Sequence, residues 1–276
     1  MVISVISPHC GGNGNTVTAL FTALGLGNMK KKVLLTHTDS VSNSLYAYLG
    51  LQQFEDKTST PTQMVKLLRE GAIQSEAIPD YCKNVADNVY VFTNNKSNFG
   101  SEDMLTFSEY LVDHSDFEYI IYDFNSIESE TAKYILGKSE LVILNFTQSY
   151  AELDDFKNQS AKYMKMFSGK KIVLVCNKYS SVAGKDRDVP KRLGVKAPIS
   201  VIHYNPWVIL GCNSGQLLTI YKNIRAKNSK VAELNSDINR LASVVAKIRI
   251  NNLKAKQQEK KVSTTKNTVG GEGDAQ

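Results

Sequence analysis

The residues with the most evident chemical potential lie near the N-terminus, in the run Ser7-Pro8-His9-Cys10-Gly11-Gly12-Asn13-Gly14-Asn15-Thr16-Val17. Glycine at 11, 12 and 14 lets successive backbone N–H groups turn towards one anion. A helix beginning just after them presents its positive end to the same point. Thr16, in the first turn of that helix, has a hydroxyl suited to Mg²⁺. This is the chemistry of a phosphate-binding loop, provided that a strand precedes it and a helix follows. The pattern meets both conditions: residues 2–6 are a short apolar β-branched run, and residues 18–26 have helical character. The same glycines would also serve a plain strand-to-helix turn.

The rest of the chain must supply the scaffold. Short apolar runs recur at Val2–Ile6, Val33–Leu35, Val89–Phe92, Tyr119–Tyr122, Leu141–Phe146, Ile172–Cys176 and Ile199–Ile202. Runs this short and nearly continuous are the signature of strands buried on both faces. Between them, sets such as Met64, Leu67 and Leu68, or Leu105, Tyr110 and Leu111, have helical spacing. Alternating strands and helices predict an α/β fold, a doubly wound and mostly parallel sheet flanked by helices. From about Ser229, Val231, Leu234, Ile238, Leu241, Val245 and Ile248 recur every three or four residues. They predict an amphipathic helix over 229–253 that packs on the sheet or offers a basic face to lipid or a partner helix. Residues 1–253 are thus expected to form one domain. Residues 254–276, poor in apolar side chains, read as a disordered basic and polar tail.

Composition narrows the class. In 276 residues, 42% hydrophobic and 22% charged, there is material for a real core, which argues against wholesale disorder and against a disulfide scaffold. Of the net charge of +6, residues 227–276 carry most, with ten Lys or Arg against five Asp or Glu. The nearly neutral body argues against a strong nucleic-acid footprint, leaving weak non-specific DNA contact through the tail. Cys10, Cys82, Cys176 and Cys212 are widely spaced and lack ligand partners, so neither zinc nor a disulfide framework is indicated. A cytoplasmic protein is expected. No run approaches the roughly 20 apolar residues of a membrane span, so any membrane contact is expected to be peripheral.

The loop resembles the deviant Walker A loop of the ParA/MinD-type P-loop ATPases, which usually reads Lys-Gly-Gly-x-Gly-Lys-Thr-Thr/Ser. Further segments follow in that family's order over roughly residues 1–225. Lys32–Asp39 is similar to the second strand and first switch, with Asp39 as the second of two acids and His37 where the first stands. Phe117–Asp123 resembles the strand that carries the Walker B acid, here Asp123. Val173–Lys178 resembles the strand whose terminal Asn, here Asn177, reads adenine. Ile202–Pro206 and Gly215–Leu217 resemble a late strand, turn and helix. The resemblance implies a P-loop NTPase fold, ATP and Mg²⁺ as cofactors and a homodimer. It implies Gly11, Gly12, Asn13, Gly14, Asn15, Thr16, Val17 and Asn177 as nucleotide contacts. Thr16 and Asp123 would hold the metal, and Asp39 and Asp123 would be the catalytic acids.

Both lysines of the family's loop are absent. By that pattern Cys10 stands where a lysine reaches across the dimer, and Asn15 where one holds the β- and γ-phosphates. A hydrogen bond to a charged group contributes about 1.5–3 kcal/mol, so triphosphate binding is weakened by one to two powers of ten. Losing a preorganised cation from the transition state of phosphoryl transfer costs about 3–4 kcal/mol. The expectation is a pseudo-ATPase or weak nucleotide-binding scaffold, similar to the TadZ/CpaE-like branch. It would position a pilus, secretion or conjugation assembly through protein partners. Two alternatives stand: an active ParA-type partition ATPase, and a dinucleotide-dependent oxidoreductase, prompted by Gly12-Asn13-Gly14 and Asp39. The second fits less well, because Val17 stands where its fingerprint needs Gly or Ala.

Overall fold

The computed structural model describes residues 1–8, 12–39, 43–51, 61–93, 100–225 and 232–269. Strands β1 (Val2–Ile6), β2 (Val33–His37), β5 (Tyr119–Asp123), β6 (Leu141–Phe146), β7 (Lys171–Tyr179) and β8 (Ile199–His203) arise from the expected apolar runs. So does β4 (Val89–Val91), whereas β3 (Lys83–Ala86) does not. The sheet has the order β3-β4-β2-β5-β1-β6-β7-β8. Every described pairing is parallel except that of β3 with β4. β3 escapes the sequence pattern because it is a short edge strand without an apolar run, turned back onto β4 through Asp87 and Asn88, the latter at φ 62°. β5 lies between β1 and β2. In the usual dinucleotide-binding order 3-2-1-4-5-6 the first two strands are neighbours, so this sheet is not of that type.

Helices cover both faces. On one lie α1 (Asn15–Asn28), α10 (Leu217–Arg225) and α11 (Ala232–Val269), with α2 (Asn43–Tyr48) and α9 (Pro206–Ser214) at its end. On the other lie α3 (Pro61–Arg69), α4 (Ser101–His114), α5 (Glu130–Lys138), α6 (Tyr150–Asn158), α7 (Ser160–Met166) and α8 (Asp188–Leu193). α1 begins three residues before the expected Thr18, and all its residues from Thr16 to Gly27 are buried. Apolar side chains on every side of it are satisfied by the sheet on one flank and α11 on the other. Gly25 permits the α1–α11 approach: a Cβ there would sit 2.8 Å from the Cβ of Ala242.

α11 packs through Leu234, Ile238, Leu241 and Val245, four of the six expected positions, so its apolar stripe is core rather than a free face. Ile248 is half-buried against the same cluster, and Val231 lies outside the described residues. Arg249 caps the contact, donating to the Glu118 carbonyl with its guanidinium 4.6 Å from the Tyr119 ring centroid. The helix then continues to Val269, through residues whose composition reads as a disordered tail. Once a helix is nucleated, each added residue gains a backbone hydrogen bond, and Lys, Ala, Gln and Glu lose little entropy in doing so. Residues 270–276 lie outside the described residues. Among the described residues no helix is long and apolar enough to cross a membrane.

Candidate functional site

The loop between β1 and α1 opens at the C-terminal end of the parallel strands, where open α/β sheets bind ligands. Gly12 and Gly14 have φ of 74° and 79°, the left-handed conformation that a close-turning loop demands of glycine. Gly11, with His9 and Cys10, lies outside the described residues. Gly14 caps α1 and leaves no room for a side chain, because a Cβ there would come 2.5 Å from Asn177 Nδ2.

Buried amides at the ends of β6 and β7 hold the loop. Asn145 donates from Nδ2 to the Asn13 carbonyl (2.5 Å) and accepts from the Thr18 hydroxyl (2.9 Å). Asn177 donates from Nδ2 to Thr18 Oγ1 (2.8 Å) and to the Gly14 carbonyl (3.2 Å), while its Oδ1 accepts from the N–H of Lys178 (2.8 Å). Both Asn177 donors are therefore committed within the protein, and one Oδ1 lone pair remains. Asn13 completes the frame by donating from Nδ2 to Ser7 Oγ at 2.7 Å.

Asn15 does not face the loop's centre alone. Its Nδ2 donates to the carbonyls of Phe124 (2.8 Å) and Val5 (3.2 Å), stitching the loop to the ends of β1 and β5. Beside it Thr16 donates its hydroxyl to Asp123 Oδ2 at 2.7 Å. Asp123 is buried, and desolvation raises its carboxyl to about 6 despite that hydrogen bond, with the neighbouring Asp39 charge adding to the rise. Burial also raises Asp39 above the ordinary carboxylate range, opposed by a hydrogen bond from Asn125. His37 pairs with Asp123 in the sheet register and is lowered to about 4 by burial. It is therefore neutral at pH 7, with Nδ1–H donating to the Asp39 carbonyl at 2.6 Å.

Three buried oxygens around this point, Asn15 Oδ1, Thr38 Oγ1 and Asp123 Oδ1, have no hydrogen-bond partner. Orphaned buried acceptors beside a paired hydroxyl and carboxylate fit a hydrated Mg²⁺, with Thr16 and Asp123 as the residues that would hold it. Among the described residues no group of three or more His, Cys, Asp or Glu side chains is arranged for a metal. The remaining ligands would thus be water and phosphate oxygens, as is usual for Mg²⁺.

A cavity of about 530 Å³ adjoins the loop, within the range of about 300–1,000 Å³ typical of small-molecule sites. Its floor is the loop from Gly12 to Val17, and its walls are the end of β7, the β8–α9 turn and Tyr48 of α2. Tyr204, Val208, Ile209 and Cys212 give the far wall an apolar character suited to a planar ring. The structure thus brings together Gly12, Asn13, Gly14, Asn15, Thr16, Val17 and Asn177 along the cavity, with Asp123 and Asp39 behind them.

The topology has counterparts among solved structures. MinD from Pyrococcus horikoshii, described as a septum site-determining protein complexed with Mg-ADP, superimposes with a TM-score of 0.65 at 20% identity, over 90% of this chain and 96% of that one. The fold is that of the MinD and ParA-family ATPases. A ParA-family ATPase from Chlorobium tepidum matches with a TM-score of 0.66 at 16% identity, covering 87% and 96% of the two chains. A plasmid partition protein from Borrelia burgdorferi matches at 0.53 and 19% identity, covering 80% and 97%. No family model matches the sequence, nor does any curated protein.

Within this MinD/ParA fold, sequence reasoning missed Asn145, Lys178 and the β8–α9 wall. Asn145 carried a legible signal, an amide in the otherwise apolar run Leu141–Phe146. Lys178 gave none, because nothing in a strand-terminal lysine announces where its side chain returns.

Proposed function

We propose that this chain is a degenerate ParA/MinD-type P-loop protein that binds an adenine nucleotide weakly with Mg²⁺ and hydrolyses it slowly or not at all. It acts, as a homodimer, as a scaffold that positions a cellular assembly such as pilus, secretion or conjugation machinery. The observation that carries this reading is the position and bonding of Asn15. It lies at the base of a glycine cradle beside the Thr16–Asp123 pair, but brings no positive charge, and its amide is already bonded to Val5 and Phe124. The cradle and the Mg²⁺ residues favour binding; the uncharged loop disfavours phosphoryl transfer. Positioning is supported by the proteins that share the fold, which include a MinD described as a septum site-determining protein.

Calorimetric titration with ATP and ADP, with and without Mg²⁺, tests the reading alongside phosphate release. The expected result is Mg²⁺-dependent binding without turnover. In Asn15→Lys the triphosphate should bind about ten- to hundredfold more tightly, the contribution of one charge-assisted hydrogen bond. Turnover at rates ordinary for an ATPase would instead indicate an active partition enzyme.

A further inference from the structure

Among the described residues that line the cavity, Lys178 is the only lysine or arginine, and no aspartate or glutamate lines it. Its placement is specific. The backbone at Lys178 has φ 52°, in the left-handed region where a Cβ crowds the chain and where glycine or asparagine sits more easily. Asn177 holds that bend by accepting the Lys178 N–H at Oδ1, while its own amide is fixed to Gly14 and Thr18. One hydrogen-bonded unit therefore sets both the shape of the loop and the direction in which the lysine leaves β7.

The side chain turns back over the loop, and Nζ donates to the Gly12 carbonyl at 2.5 Å. The ammonium is thus held at the rim of the cradle whose N–H groups would face an anion. Its present partner is a neutral carbonyl, a weaker acceptor than a phosphate oxygen. With neutral Asn15 at the base of the loop, the rim carries the cavity's fixed positive charge.

We propose that Lys178 supplies, from the end of β7 of the same chain, the charge that anchors the phosphate end of a nucleotide at this loop, in place of a lysine within the loop. This rests on the nucleotide-binding reading above and adds the residue that discriminates a charged ligand from an uncharged one. The lysine anchors the phosphates in the ground state, which distinguishes it from a catalytic group.

The test is calorimetric titration of the full chain with ADP, ATP and adenosine in Mg²⁺ at low and moderate salt, for the native protein, Lys178→Asn, Lys178→Gly and Lys178→Arg. Asparagine and glycine both accept the left-handed backbone, so the charge is removed without added strain, and thermal melts report whether each variant is folded. Lys178→Asn and Lys178→Gly should weaken ADP and ATP by about ten- to hundredfold, leave adenosine unchanged and flatten the salt dependence. Lys178→Arg should retain most of the affinity. Native affinity for ADP in the two uncharged variants overturns the assignment while sparing the nucleotide reading. An equal loss for adenosine overturns it too, because the lysine would then only shape the loop. Failure of the native protein to bind any of the three ligands overturns both readings.

Discussion

Asp123→Asn should gain stability relative to the native protein as the pH rises from 4 to 8. Asp123 is 1% exposed, and burial raises its carboxyl from 3.8 to about 6. A carboxyl that binds its proton more tightly in the folded state than in the unfolded one destabilises the fold when it ionises. The cost is absent below about pH 4, grows as the pH rises towards 6 and is complete above that. At about 1.36 kcal/mol for each pH unit between the two values, it amounts to about 3 kcal/mol. Asparagine keeps an acceptor for the Thr16 hydroxyl but carries no charge. Its amide donor, placed where Asp123 Oδ1 now lacks a partner, costs about 1–3 kcal/mol at every pH. The diagnostic is therefore the change in the stability gap between pH 4 and pH 8, which should favour the variant by about 3 kcal/mol, or roughly 6–10 °C in melting temperature. His37, which burial lowers to about 4, titrates in both proteins and so largely cancels from the difference. Thermal melts of the two proteins across this range, without nucleotide, measure the effect. A gap independent of pH would refute the reasoning, since Asp123 would then not be held as a buried charge.

Two further outcomes follow from the site and the C-terminal helix. Gly14→Ala places a Cβ 2.5 Å from Asn177 Nδ2 at a φ of 79°, so it should destabilise the fold by about 2 kcal/mol or more and abolish nucleotide binding, read by melts and calorimetry together. DNA binding, measured by fluorescence anisotropy with a duplex of arbitrary sequence, should be weak, steeply salt-dependent and lost on deleting residues 254–276; tight binding by the truncated chain would contradict this.

Much of the framework was legible from residue types alone. Seven of the eight strands follow from runs of β-branched and apolar residues, because a strand buried on both faces is apolar at most of its positions. The glycine loop was legible for a similar reason. Few residues other than glycine take the left-handed turns found at Gly12 and Gly14, so its demands are local and visible in the chain. The edge strand Lys83–Ala86 was hidden because it buries little. The helical extension past Leu253 was hidden because propagation from a docked helix does not register in composition.

What the tertiary structure alone decided is how the polar side chains are used. Sequence order puts Asn15, Asp123 and Asn177 far apart, and the type of an asparagine does not say whether its amide awaits a ligand or is committed within the fold. The strand order answers that: with β5 and β6 flanking β1, the Phe124 carbonyl lies within reach of Asn15, and the ends of β6 and β7 reach the loop with Asn145 and Asn177. Lys178 gains its meaning in the same way, from a bend that brings its ammonium to Gly12 across 166 positions of sequence. Local sterics and hydrophobicity are properties of short stretches of chain, whereas hydrogen bonding and burial depend on which stretches meet, and only the fold fixes that.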